Sequence, residues 1–291
     1  MPVCCGRRWR MHEAPRLLPV RTDPPVVRGI LIGAAWGIVA LFLVAPLLVV
    51  FTEALREGWQ RYFAAIREPE ALQALRLTLL ITGVVVPLNA AFGLAAAWAI
   101  GRFQFRGKGL VTALIDLPFT VSPVIGGIVF VLLFGRAGWF GPWLQEHGIR
   151  ILFAPPGMIL ATAFVTFPFV VRELIPLLEA QGREEEEAAV VLGASGWQVF
   201  RRVTLPAIRW GLLYGLVMCT ARAMGEFGAV SVVSGHIRGQ TNTLTLYVEL
   251  LYNSYRTAPA FAVASLLTLL SLLTLVGTHV LEIRGLRRFE P

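Results

Sequence analysis

The sequence predicts an all-α, polytopic membrane protein of about six transmembrane helices. Three observations predict it. Of its 291 residues 56% are hydrophobic and 15% charged, and the mean hydropathy is +0.68, the balance of a membrane-embedded chain. Apolar runs recur at the length, about 20 residues, that carries a helix across a hydrocarbon core of about 30 Å. The runs also lack the alternating period of barrel strands. Inside lipid every backbone N–H and C=O needs an internal partner, which leaves helices.

Residues 1–28 hold Arg7, Arg8, Arg10, Arg16, Arg21 and Arg28 among prolines with no apolar period, and read as a disordered basic tail that anchors topology. Cys4 follows only three residues and no apolar stretch, which argues against a cleaved signal ahead of it; Met11 is an alternative start. The transmembrane domain is expected over 29–282. Its first span, Ile30–Phe51, is uncharged, and Gly29, Gly33 and Gly37 put small residues on one helical face, a weak packing signal. Residues 52–76 mix charges with Trp59, Tyr62 and Phe63 and suggest an outer interfacial helix. The second span, Leu77–Gly101, is uncharged, and the third, Gly109–Gly135, holds only Asp116. Trp139, Phe140 and Trp143 mark the next outer boundary. The fourth span, Ile151–Val171, is punctuated by Pro155, Pro156 and Pro168; a polar loop, 179–206, follows it. The fifth, Leu205–Ser234, carries Arg209, Arg222 and Glu226, and the sixth, Thr257–Leu281, precedes a short cytoplasmic tail, 283–291.

The net charge of +8 is a matter of topology rather than of a nucleic-acid partner. The first tail, the turn with Arg102, Arg106 and Lys108, and the last tail with Arg284, Arg287 and Arg288 fall on one side if all six spans are real. By the positive-inside rule that side is the cytoplasm, so both termini and the 179–206 loop are expected there. Arg56, Arg61, Arg67 and Arg76 oppose the bias locally, while the other outer loops carry only Arg136, Arg150, Arg238 and Arg256. Cys4 and Cys5 on that tail, and Cys219 within a span, suggest no disulfide framework.

The residues of catalysis are missing. His12, His147, His236 and His279 are scattered, with no zinc spacing, no serine elbow and no dinucleotide fingerprint, so neither metal nor cofactor is expected. The nearest approach to a phosphate loop, "GRFQFRGKG" from Gly101, has one residue too many and ends on Gly109 where Ser or Thr should bind Mg²⁺. Any ATP must be bound by another chain.

The stretch "EEEEAAVVLGASGWQVFRRVTLP", Glu184 to Pro206, interrupts this apolar sequence. Four glutamates precede a helix-prone run, where negative charge favours a helix N-terminus, and Gly193 ends it. A second helix is expected from Trp197, Phe200 and Val203 on one apolar face, stopped by Leu205-Pro206. Three roles compete. A connector lying on anionic lipid suits four acids poorly. A DNA-binding helix-turn-helix is opposed by acids that repel phosphate and by the membrane tether. The third is a docking element for a cytoplasmic partner.

The spacing Glu187-Ala188-Ala189, Gly193, then Val203-Thr204-Leu205-Pro206 resembles the EAA motif of permease subunits in bacterial ABC importers, with valine in place of the usual isoleucine. "FQFRGKGLVTALIDLPFTVSPVIGGIVFVLLFG", "FVTFPFVVRELIPLL" and "ARAMGEFGAVSVVSGHIRGQTNTL" are similar to CysW-type permeases of sulfate and thiosulfate importers, from about Ala71 to Leu281. Where that family has proline, this chain has Thr245. The resemblance implies the ABC importer permease fold and a non-catalytic subunit of the bacterial inner membrane. It implies as partners a CysT-type permease subunit, an ATP-binding cassette ATPase dimer and a periplasmic sulfate/thiosulfate-binding protein, besides membrane lipid. It assigns ATPase coupling to the loop residues Glu187, Ala188, Ala189, Gly193, Ala194, Ser195, Leu205 and Pro206.

Ionisable residues inside a span are costly and count as functional candidates. Arg222 and Glu226, four apart, can pair on one face of the fifth helix, with Asp116 a possible further partner. They serve either to hold that helix or to meet a passing anion. Two rival functions stay open: a molybdate or tungstate permease, which shares the "GEFG" span and the dianion charge, and a self-sufficient secondary transporter, which the loop motif opposes.

Overall fold

The computed structural model describes residues 24–286. The basic tail up to residue 23 and the last five residues, with Cys4, Cys5, His12, Arg287 and Arg288, lie outside the described residues. Among the described residues there are α-helices and two π-helical turns and no strand. In order they are α1 (Pro25–Val39), a π turn (Ala40–Val44), α2 (Ala45–Leu55), α3 (Trp59–Arg67), α4 (Pro69–Arg102), α5 (Lys108–Thr120), α6 (Pro123–Phe134) and α7 (Gly141–Glu146). Then come α8 (Pro155–Ala180), α9 (Glu184–Val191), α10 (Gly196–Val199), a second π turn (Phe200–Thr204), α11 (Leu205–Met224), α12 (Gly228–Ser234), α13 (Leu244–Asn253) and α14 (Thr257–Leu286). The chain divides after Val49 into two units. The described part of the first is helical from Pro25 on, and the second holds every element from α3 onward.

Among the described residues five helices are long and apolar enough to cross a membrane, and the bent pair α5–α6 makes a sixth if it is one crossing. Here the structure corrects the third span, expected as one helix. α5 and α6 meet at 108°. Pro123 is the cause: it has no N–H to donate and disfavours the helical region for Ser122, which sits extended at φ −56°, ψ 133° beside an extended Val121. The fifth span is corrected likewise. α11 stops at Met224, and residues 225–227 separate it from α12. The fourth span is longer than expected, because its apolar window closed at Arg172 and Glu173 while the helix continues to Ala180.

α8 occupies the centre, packed by α4, α11, α12, α5 and α6. Its approach to α4 depends on Gly93, where a Cβ would lie 2.8 Å from Val170 Cγ1. A buried polar node ties the same helices: Asn89 Nδ2 of α4 donates to Thr166 Oγ1 of α8 at 2.8 Å and to the Ala163 carbonyl at 3.3 Å, beside Cys219 of α11. In a hydrocarbon setting such a node fixes register, since slippage strands an amide. On the other edge, the interfacial helix α3 docks on α14 through Tyr62 OH and Ser265 Oγ, 3.1 Å apart. Arg256 binds both carboxylate oxygens of Glu68 at 3.3 Å, joining the start of α4 to the loop before α14.

Candidate functional site: the loop 184–204 and the intramembrane charges

The acids Glu184 to Glu187 form the first turn of α9, where the helix dipole favours them. They are not equivalent, for Glu184, Glu185 and Glu187 are exposed while Glu186 turns inward. α9 ends in two reciprocal bonds, Ala194 N–H to the Ala189 carbonyl at 3.0 Å and Gly193 N–H to the Val190 carbonyl at 2.9 Å. That is a Schellman stop, and it requires the left-handed backbone that Gly193 adopts at φ +85°. Two residues later Ser195 opens α10 with a capping box: Gln198 N–H donates to Ser195 Oγ at 3.4 Å and Ser195 N–H to Gln198 Oε1 at 2.8 Å. Gly193, Ala194 and Ser195 are thus a stop and a start in three residues.

The expected end of the second helix at Leu205-Pro206 is corrected. The helix runs on unbroken from Gly196 to Met224. Its turn at Phe200–Thr204 is π-helical, with Leu205 N–H bonded to the Phe200 carbonyl five residues back, and the widened turn delivers Pro206 to the first turn of α11, where a missing N–H does no harm. The expected apolar face also differs: Val199 is buried and Phe200 and Val203 half-buried, but Trp197 is mostly exposed and stacks on Phe200. Outward, Val191 and Leu192 are each 86% exposed, beside Val190. These three form an apolar ridge at the end of α9, following exposed Glu187 and Ala188, and Trp197 is a further exposed apolar residue on α10. An exposed apolar ridge of this kind is a candidate protein-docking surface.

Within the membrane region the structure brings Arg222 and Glu226 together and leaves Asp116 elsewhere. Arg222 Nη1 lies 2.6 Å from Glu226 Oε2. The two do not share a helix, because Glu226 sits in the break after α11; its Oε1 accepts the Ala229 N–H at 3.0 Å and so caps α12. Thr245 donates its hydroxyl to the Glu226 carbonyl at 2.9 Å. The Glu226 side chain is fully buried, whereas that of Arg222 is 33% exposed. Asp116 pairs with Arg172 Nε of α8 at 2.7 Å instead of joining Arg222, and the Arg172 guanidinium lies over the Phe119 ring at 4.8 Å. Residue reasoning passed over Arg172, which appeared only as the charge that closed an apolar window, and over Arg102 and Glu186. Among the described residues no group of His, Cys, Asp and Glu could hold a metal ion.

Long apolar helices around α8, with a two-helix polar loop outside them, define a polytopic helical membrane protein. Residues 89–284 match the family model described as "Binding-protein-dependent transport system inner membrane component". The chain belongs to that family. It is 50% identical over 254 residues to the sulfate transport system permease protein CysW of Escherichia coli strain K12, covering 87% of each chain. To the sulfate transport system permease protein CysT of the same strain it is 35% identical over 257 residues, covering 88% of this chain and 93% of that one. Among solved structures, a chain of a bacterial alginate ABC transporter in complex with its alginate pentasaccharide-bound periplasmic protein superposes with a TM-score of 0.74 at 17% identity, covering 89% of this chain and 94% of that one. The all-α polytopic fold and the CysW-type resemblance expected from the sequence both hold.

Proposed function

We propose that this chain is the CysW-type permease subunit of an ATP-driven sulfate/thiosulfate importer. It forms the translocation path with a CysT-type permease, takes the anion from a periplasmic binding protein, and docks on an ATPase dimer through the loop 184–204. The chain itself is non-catalytic; ATP hydrolysis belongs to the ATPase. The observation that carries the reading is 50% identity over 87% of the chain to a sulfate permease, together with the exposed apolar residues Val190, Val191, Leu192 and Trp197 of the loop, which an ATPase groove would cover.

The substrate is tested by radiolabelled sulfate uptake in cells carrying the whole gene set. Excess unlabelled thiosulfate should compete and equal molybdate should not; the reverse pattern makes this a molybdate permease. Copurification of an ATPase subunit separates both from a secondary transporter. The orientation rests on the arginine distribution and on an even number of crossings, with α5–α6 counted as one. A single cysteine at Gln198 should resist a membrane-impermeant thiol reagent in intact cells and react after lysis. Labelling in intact cells would put the loop outside and overturn the topology.

A further inference from the structure

Arg102, the last residue of α4, is buried at 7% exposure. Its Nη1 donates to the Leu178 carbonyl at 2.6 Å and the Gly182 carbonyl at 2.5 Å, and Nη2 lies 2.9 Å from Glu186 Oε1 and 3.5 Å from Gln181 Oε1. The carbonyls belong to the C-terminal turn of α8 and the residues just after it, where the helix leaves acceptors without intrahelical donors and favours a cation. Glu186 in turn accepts the Thr204 hydroxyl at 2.7 Å, and Thr204 is the last residue of the π turn that leads into α11. Arg183 completes the circuit by donating to the Arg102 carbonyl. One planar guanidinium, with donors in a fixed fork, therefore joins the ends of α4 and α8 to the first turn of α9, and through Glu186 to the foot of α11.

We propose that the Arg102–Glu186 pair is the joint through which the docking loop moves the membrane helices, with both as positioning residues. The inference rests on the reading of the loop as an ATPase-docking element. A buried ion pair is poor evidence of stability but a good registry device, because parting it leaves a charge without a partner. Glu186, the inward member of the four acids, is spent on this contact, whereas its exposed neighbours are free for the partner. When the ridge is displaced, α9 carries the ends of α4 and α8 with it.

The test uses the assembled importer in lipid bilayers and compares wild type with Glu186→Gln, Arg102→Lys and Thr204→Val. Three quantities are read: assembled complex, sulfate moved per ATP hydrolysed, and the distance between spin labels at Gln198 and Ala180 with and without ATP. Glu186→Gln is expected to assemble and to hydrolyse ATP, yet to move about tenfold less sulfate per ATP, the range of ordinary coupling energies. The label distance should stay fixed in wild type and change with ATP in the variant. Arg102→Lys should behave likewise, since a point ammonium cannot serve the same acceptors in one plane. Unchanged transport per ATP and a fixed label distance in an assembled Glu186→Gln complex overturn the proposal. Where the charge variants assemble poorly, Thr204→Val decides, because it keeps both charges and frees only the orientation of Glu186. Reduced coupling there supports the joint; normal coupling, or failure to assemble, overturns it. A wild-type complex that hydrolyses ATP without moving sulfate sinks the substrate reading alone, and the label distances still judge the joint.

Discussion

Gly193→Val is expected to abolish uptake while leaving the subunit in the membrane, and Gly193→Asn to keep most of it. The contrast follows from the backbone. A Cβ at Gly193 would meet nothing within 4 Å, so space is not what requires glycine there. What requires it is φ +85°, which the Schellman stop imposes. A β-branched residue in that region costs about 1–3 kcal/mol, whereas asparagine enters it more cheaply. Valine would pull the turn toward an ordinary φ, break the two closing bonds, and swing α10 and Trp197 away from α9. The ridge of Val190, Val191 and Leu192 would then no longer present one surface. Uptake and copurification of the ATPase, measured on both variants, check this; equal activity of the valine and asparagine variants would remove the conformational argument.

The second large effect concerns Arg222 and Glu226. Arg222→Met leaves a fully buried carboxylate with one N–H partner, from Ala229, and a broken buried pair of this kind costs about 3–5 kcal/mol. Assembled complex should fall several-fold. Glu226→Gln should be milder: an amide oxygen can still accept from Ala229, and Arg222, one-third exposed, is not left as a fully buried charge. The double variant should regain most of the yield and part of the uptake, since no unpaired charge remains. Yield and uptake on the same four samples separate the two roles. A double variant that assembles well and moves no sulfate would make Arg222 a contact of the anion rather than a support of the break.

The order and approximate position of the spans were legible because burial in lipid demands continuous apolar sequence, which hydropathy registers directly. The breaks were less so. Hydropathy cannot distinguish a straight helix through Asp116 and Pro118 from the 108° bend after Thr120, because backbone angles are set by Ser122-Pro123 and not by polarity. For the same reason Glu226 read as a helix-face residue, although "MGEFG" places glycines on both sides of it, a pattern that signals a break and a cap. The loop was the most legible site, since Gly193 and Ser195 act through their immediate neighbours. Arg102 was hidden: along the sequence it is one cation in a basic turn, and its partners stand some 75 to 85 positions away, at Leu178, Gly182 and Glu186. Leu205-Pro206 misled because proline stops a regular α-helix, but a π turn just ahead of it had already shifted the register.

That π turn makes the 29 residues from Gly196 to Met224 a single rod, anchored in the loop at one end and ending at the break before Glu226 at the other. At 1.5 Å per residue the rod is about 43 Å long, so a tilt of about 5° about its loop end would sweep the far end through about 4 Å. A rod of this length would multiply a small rotation at its loop end into a displacement longer than a hydrogen bond. Its tip carries Arg222, placed where that sweep is greatest.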